Sequence, residues 1–116
     1  MAFSASEIAE HSAVIEKVFW SQCRPPLQLR DQILEGQRIA DHTIELFYVR
    51  PRFQRPQEAC ENPIAKIRFF RSRETWQLYW QRANGKWELY MPYPEADSLA
   101  ELLVVIAEDD HGCFFG

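Results

Sequence analysis

The residues best suited to chemistry in this sequence are basic side chains interleaved with aromatic ones. The basic segment, residues 50–86, carries nine basic and three acidic residues, net +6, whereas the rest carries four basic and fourteen acidic, net −10. Cations that meet phosphates, set beside aromatic rings that stack on bases, are typical of proteins that bind single-stranded nucleic acid. The sequence therefore predicts a surface that binds anionic ligands, with eight candidate residues: Arg50, Arg52, Arg55, Lys66, Arg68, Glu45, Tyr79 and Tyr90.

A plainer interpretation of the same residues is a solvated sheet face whose arginines pair with carboxylates and lie over aromatic rings. The overall net charge of −4 favours it, because nucleic-acid binding is dominated by phosphate electrostatics. Charges segregated along the sequence are either separated in space or neutralised by folding back of the chain ends. The sequence leaves both arrangements open.

A second hypothesis is a small-ligand enzyme or binder in which Arg50 and Arg52 clamp a carboxylate or phosphate through bidentate hydrogen bonds. Glu45, upstream on the same predicted strand, would then be a neighbour of the ligand or a general base. The expected sheet register instead pairs Glu45 with Arg38, a common kind of cross-strand charge pair. Because common phosphate-loop, protease and esterase motifs are missing, the sequence favours a binding role over an enzyme.

Three histidines and three cysteines raise the question of a metal site. Structural zinc sites use close ligand pairs such as C-x-x-C, and none exists here, so we expect neither a metal nor a cofactor. A third hypothesis, iron binding, rests on the order helix, strands, helix, which is similar to that of frataxin-like proteins, and on the acidic pair Asp109-Asp110. The odd number and wide spacing of the cysteines fit free thiols in a reducing cytoplasm. With no signal-peptide pattern and no long apolar run, we expect a cytoplasmic protein without membrane partners.

The elements that must position these residues include a hairpin over residues 75–92. Asn84-Gly85 lies between two runs that alternate apolar and polar residues, which is the strongest short-range hairpin signal. A two-residue loop there would place Tyr79 opposite Tyr90 and Trp80 opposite Leu89, on different faces. The same counting predicts one apolar, core-facing set on three strands: Ala65, Ile67, Phe69, Trp76, Leu78, Trp80, Trp87, Leu89 and Met91.

The other strands are predicted over residues 32–40, 43–50 and 64–71. A turn at Asp41-His42 would pair Arg38 with Glu45, and a turn near residues 73–74 would pair Ile67 with Trp80. Gly36 is typical of a bulge within the first strand. Residues 51–63, which contain three prolines, are predicted to form a loop.

Capping boxes predict one helix on either side of the sheet. Ser4 with Glu7 opens a helix to about residue 22, and Ser98 with Glu101 opens one to about residue 109, with Gly112 as its stop. We therefore predict one α+β domain over residues 1–116: an N-terminal helix, a five-stranded antiparallel meander sheet and a C-terminal helix, with the helices packed on one sheet face. The tail rings Phe114 and Phe115 are expected to dock on this core, with a homodimer through them as the alternative.

Several strings taken together resemble a bacterial family, domain of unknown function 3024. The matching pieces cover nearly the whole chain: Arg24-Pro25-Pro26, Arg30-Asp31, Glu45-Leu46-Phe47, Val49-Arg50-Pro51-Arg52, Pro63-Ile64-Ala65-Lys66, residues 76–90 and Gly112-Cys113-Phe114-Phe115-Gly116. The resemblance implies one small domain. It brings no activity, cofactor or substrate.

Overall fold

The fold is that of an antiparallel sheet backed by helices. A computed structural model of the chain describes residues 2–23, 33–51 and 58–115. Its helical segments are α1 (Ala5–Val14), a π-helical segment (Ile15–Trp20), α2 (Ser21–Cys23) and α3 (Leu99–Glu108). Its strands are β1 (Leu34–Ala40), β2 (Thr43–Pro51), β3 (Ala59–Phe70), β4 (Thr75–Gln81), β5 (Trp87–Leu89) and β6 (Glu95–Ala96).

The sheet has the order β1-β2-β3-β4-β5, with every pair antiparallel, and β6 pairs with β4 beside β5. The predicted α+β meander with flanking helices is confirmed, and β6 is the strand that the sequence analysis missed. In the described part of the chain, no helix is long and apolar enough to cross a membrane.

The first hairpin has the predicted register, with Ala40 opposite Thr43 and Arg38 opposite Glu45. Pairing from Leu34 to Ala40 is unbroken, so the expected bulge at Gly36 is wrong. The bulge lies between β2 and β3, where Leu46 faces Ala65 and Phe47 faces Pro63. Proline is tolerated at such an irregularity because a bulge leaves one ladder hydrogen bond unmade.

The loop predicted over residues 51–63 is wrong in its second half, because β3 already begins at Ala59 and pairs with Pro51. Residues 52–57 lie outside the described residues. At the bulge, Ile64 is the extra residue of β3, and both Ile64 and Ala65 are buried. The irregularity therefore turns two successive side chains into the core, which an alternating pattern does not predict.

The hairpin at Asn84-Gly85 is shifted by one residue from the prediction. Gly85 donates from its backbone N–H to Arg82 O at 2.9 Å, and Arg82 donates to Lys86 O at 2.8 Å, which leaves a three-residue loop. Of the loop residues only Gly85 has a positive φ, +85°, so the turn is type I followed by a left-handed glycine. Tyr79 consequently faces Leu89, and Gln81 faces Trp87.

The turn between β3 and β4 is also longer than predicted, so that Ile67 faces Leu78 and Phe69 faces Trp76. Here the shift is two residues, and a shift by an even number leaves every side chain on its predicted face. The one-residue shift at Gly85 moves the following side chains to the other face of the sheet. The prediction that Trp87, Leu89 and Met91 belong to the core is therefore wrong. Met91 is 68% exposed, and Trp87 and Leu89 lie half-buried on the opposite face.

The core lies between the helices and one face of the sheet. Spacings of four and five residues in the π-helical segment bring Ile15, Phe19 and Trp20 together, and all three are buried. This core joins the N-terminal helical segments and α3 to β2, β3 and β4 through buried apolar side chains, among them Ile44, Leu46, Ile67, Leu78, Leu99, Leu102, Leu103 and Ile106.

The helix ends follow the predicted caps in part. Ser4 and Glu7 form both hydrogen bonds of the capping box. At α3, Ser98 accepts from the Glu101 backbone N–H at 3.3 Å, while the Glu101 carboxylate accepts from Tyr93 Oη. The predicted stop at Gly112 is wrong, because Asp109 ends the helix in the left-handed conformation with φ 44°.

The tail docks on its own domain, as predicted. The ring of Phe114 is buried 4.8 Å from that of Tyr90, and the half-exposed ring of Phe115 stacks on Phe19 at 6.2 Å. A homodimer through Phe114 and Phe115 stays a prediction.

Candidate anion-binding face

The sheet face opposite the described helices is called the open face here. Strand alternation places two rows of side chains on it, each crossing the sheet. One row comprises Arg38, Glu45, Lys66, Tyr79 and Leu89, and the next comprises Ala40, Thr43, Arg68, Gln77 and Glu95. Both predicted cations of β3, Lys66 and Arg68, therefore lie on this face.

Three cations on or beside the open face stand near aromatic rings. Lys66 Nζ lies 5.8 Å from the centroid of Trp87, while the guanidinium carbons of Arg68 and Arg73 lie 5.1 and 4.9 Å from that of Phe70. Within residues 2–23, 33–51 and 58–115, none of these three cations has a carboxylate within ion-pair distance. We call Lys66, Arg68 and Arg73 the unpaired cations. Their charge remains available to a ligand.

Glu45 lies on the open face beside Arg38 of the neighbouring strand. Arg38 donates to Glu45 Oε2 at 3.4 Å and to Glu61 Oε2 at 2.7 Å, so the predicted pairing of Glu45 with Arg38 is confirmed. The hydrogen bond to Glu61 is the main reason why the pKa of Arg38 is raised. Its guanidinium also covers the ring of Phe47, 5.0 Å from the centroid. The guanidinium of Arg38 is therefore occupied by contacts within the sheet.

Arg50 lies apart from the cations of β3. It faces Cys60, and strand alternation puts it on the opposite face from Glu45. With the Asn62 amide turned so that its oxygen accepts, Arg50 donates from Nε at 2.6 Å and from Nη2 at 3.1 Å. Arg52 and Arg55 lie outside the described residues.

The two candidate tyrosines are separated by the corrected register. Tyr79 is half-buried on the open face, and its hydroxyl donates to Gln77 Oε1 at 2.7 Å. Tyr90 is only 1% exposed and belongs to the core, where burial raises the pKa of its hydroxyl. Sequence reasoning missed Trp87 and Arg73 as members of the face. No local signal distinguishes the three-residue loop that brings Trp87 there from the predicted two-residue loop, because both place Gly85 in the left-handed conformation.

At one end of the open face is a depression of about 450 Å³, lined by His42, Arg68, Phe69, Phe70, Arg71 and Ser72. Its Arg71 is held in place by Glu7, with Nη1 and Nη2 donating to the two carboxylate oxygens at 3.1 and 3.0 Å. These hydrogen bonds are the main reason why the pKa of Glu7 is lowered to about 2. In this case the acidic N-terminal helix does fold back to neutralise one residue of the basic segment.

The described residues give little support to a metal site or to a reactive cysteine thiol. Among the residues that the structure describes, no group of three or more His, Cys, Asp or Glu side chains could hold a metal ion. Burial raises the pKa values of the thiols of Cys23 and Cys113, which disfavours the nucleophilic thiolate.

Fold and face together define a small α+β protein whose open face, opposite the described helices, carries the unpaired cations beside aromatic rings. The chain belongs to the family described as Domain of unknown function (DUF3024), whose family model matches residues 3–116. The resemblance seen in the sequence is thereby confirmed over essentially the whole chain. Comparisons with curated proteins and with solved structures gave no match.

Proposed function

We propose that this protein is a non-enzymatic binding module whose open face binds an extended anionic polymer, single-stranded nucleic acid. The observation that carries the proposal is the set of unpaired cations. Each of the three stands beside an aromatic ring, on or at the border of the sheet face that the described helices leave uncovered.

The chemistry of the face suits a phosphate backbone with splayed bases. Lys66 and Arg68 are two residues apart on β3, so their side chains start about 7 Å from each other along the strand. The rings of Phe70, Tyr79 and Trp87 are half-buried, which fixes their orientation while leaving surface for contact. Stacking of one base on such a ring contributes about 1–3 kcal/mol and does not depend on base identity.

Part of the acidic surplus of the chain lies in the helical layer, and the carboxylates of the open face have partners on that face: Glu45 and Glu61 pair with Arg38, and Glu95 accepts from Gln77. Glu7, Glu10 and Glu16 lie in α1 and the π-helical segment, and Glu101 and Glu108 lie in α3. These helices pack on the far side of the sheet. Because exposed charges farther apart than a Debye length of about 8–10 Å are largely screened, the local charge of the open face governs binding there.

The two other hypotheses have weaker support. Glu45 and Arg50 lie five residues apart on β2 and on opposite faces, so they do not share a pocket for a small ligand. An iron site would need a cluster of ligands, and the described residues contain none. We therefore keep the binding module as the conclusion.

The test measures binding of fluorescein-labelled oligo(dT) and oligo(U) by fluorescence anisotropy, at low and rising salt. Binding should weaken with salt, and each unpaired cation replaced by alanine should reduce the slope of log K against log [salt] by about 0.7. The triple variant K66A/R68A/R73A should not bind.

Arg82→Ala is the matched control. It removes the same charge from the same basic segment, but Arg82 already pairs with Glu88 at 3.3 Å. The control should bind like the unmodified protein. Absence of binding at low salt, or an equal loss in R82A, would overturn the proposed function.

A further inference from the structure

We infer that the depression at the end of the open face binds the terminal phosphate of a single-stranded nucleic acid. This inference rests on the proposed function, since it assigns the end of the strand whose backbone would follow the unpaired cations. The lining residues are His42, Arg68, Phe69, Phe70, Arg71 and Ser72.

The depression lies where the β3–β4 hairpin extends past the turn that joins β1 to β2. Thr43 faces Arg68 in the last register pair of β2, and the Phe69 N–H donates to His42 O at 2.8 Å just beyond it. The chain then turns at residues 71–74, where the sheet ends. A nucleic-acid strand that follows β3 over the open face would reach the end of the sheet here, so the depression is placed to receive a chain end.

The size agrees with a single terminal nucleotide. About 450 Å³ lies near the lower end of the range of about 300–1,000 Å³ that small-molecule sites occupy. Arg68 belongs to both the open face and the depression, and its guanidinium is 5.1 Å from the ring of Phe70. The cation that would meet the nucleic-acid backbone, the depression and the ring available for stacking therefore lie next to one another.

The lining chemistry favours a phosphate monoester over a neutral end. The planar guanidinium fork of Arg68 matches phosphate oxygens in geometry, and the hydroxyl of exposed Ser72 can donate to one of them. Glu7 holds Arg71 in position, so this part of the lining is in place before a ligand arrives. A monoester carries a charge of about −1.5 to −2, more than a backbone diester, and gains more from these donors.

The experiment compares three versions of an internally labelled ten-residue oligo(dT): with a 5′-phosphate, with a 3′-phosphate, and with hydroxyls at both ends. We expect one phosphorylated version to bind about tenfold more tightly than the hydroxyl-ended one, the effect of one charge-assisted hydrogen bond. The end at which a phosphate increases the affinity identifies the polarity of the bound strand. Millimolar inorganic phosphate should remove this advantage.

Two variants separate the depression from the rest of the face. Ser72→Asp, an exposed turn substitution that places a negative charge in the depression, should abolish the advantage of the phosphate, so that the phosphorylated and hydroxyl-ended oligonucleotides bind this variant equally. Lys66→Ala should weaken all three oligonucleotides by the same factor. Circular dichroism of both variants checks that they are folded.

The outcomes distinguish the two claims. Equal affinities of the three oligonucleotides would overturn the terminal-phosphate inference and leave the proposed function standing. An advantage that persists in S72D would also overturn it, because the phosphate would then bind elsewhere. If none of the three binds at low salt, the proposed function is wrong, and this inference fails with it.

Discussion

Phe47 lies over Gly36 on the neighbouring strand so closely that a Cβ at residue 36 would be 2.3 Å from Phe47 Cε2. The two residues face each other in the β1–β2 register. The ring is only 7% exposed although it points to the open face, because Arg38 covers it 5.0 Å from the centroid. Glycine is required here for space, and the aromatic ring compensates for the missing side chain.

We predict that Gly36→Ala lowers the free energy of unfolding by about 1–3 kcal/mol, since the added methyl overpacks a ring that Arg38 prevents from moving away. Urea unfolding measures the loss. Phe47→Leu should relieve part of it in the double variant G36A/F47L.

Gly85→Ala is the contrasting case. No atom lies within 4 Å of a Cβ at residue 85, but its φ of +85° costs an L-residue about 1–2 kcal/mol. Phe47→Leu should not rescue this variant. Rescue of both variants by F47L would contradict the steric explanation for Gly36.

Asp109 anchors the C-terminal tail. Its carboxylate accepts hydrogen bonds from the backbone N–H groups of Phe114, at 3.0 Å, and Phe115, at 2.9 Å. Asp109→Ala should lower the free energy of unfolding by about 1–3 kcal/mol, because hydrogen bonds to a charged group are lost. It should also make the tail accessible to carboxypeptidase digestion, followed by mass spectrometry.

Asp110→Ala is the control for this prediction, since it changes an adjacent exposed carboxylate. Its tail should resist digestion like that of the unmodified protein. Asp109→Asn keeps one acceptor oxygen and tolerates the left-handed conformation. Its tail should be digested more slowly than that of D109A and faster than that of D110A.

His11 should make stability depend on pH. Its ring packs edge-on between Phe3, at 4.8 Å, and Trp76, at 5.0 Å. Burial lowers its pKa below 6.5, outweighing the opposing effect of Glu10 and Glu7, while Arg71 lowers it further. The unfolded chain therefore binds this proton more readily, so the stability conferred by neutral His11 is complete above pH 6.5 and is lost as pH falls below it.

Urea unfolding between pH 5 and 8 tests this effect. His11→Phe should flatten the pH dependence of the unfolding free energy over that range, whereas exposed His111→Gln should leave it unchanged. An equal slope in the unmodified protein and H11F would show that His11 is not the responsible group.

The ion pair of Glu7 with Arg71 should matter at lower pH. Glu7 has a pKa lowered from 4.5 to about 2 by hydrogen bonds from Arg71 and Ser4, so it stabilises the folded state above pH 4.5. That contribution is lost as pH falls from 4.5 towards 2. Acid unfolding of Glu7→Gln, followed by tryptophan fluorescence, should show a weaker pH dependence in this window than the unmodified protein. The control Glu10→Gln, which changes an exposed carboxylate, should show the same pH dependence as the unmodified protein.

The residues show why some local patterns predicted the structure and others did not. Asp41-His42 forms a two-residue turn, with Asp41 at φ 55°, and the register of β1 and β2 follows correctly by counting. Asn84-Gly85 offers the same signal, but only Gly85 takes the left-handed conformation, which adds one residue to the loop. Two turn types with nearly equal local energies share this dipeptide, so the chain's wider packing selects between them.

The sequence by itself determined the flanking helices and the main strands, because caps, turn residues and alternating side chains act over a few neighbouring residues; it missed β6 and the first residues of β3. It also determined which segment carries the cations. Tertiary structure decided which residues share a surface, since a one-residue register shift moved Tyr90 into the core and brought Trp87 beside Lys66. It likewise joined Arg71 to Glu7 across 64 residues of chain. Such contacts depend on how distant elements pack, which no local pattern encodes.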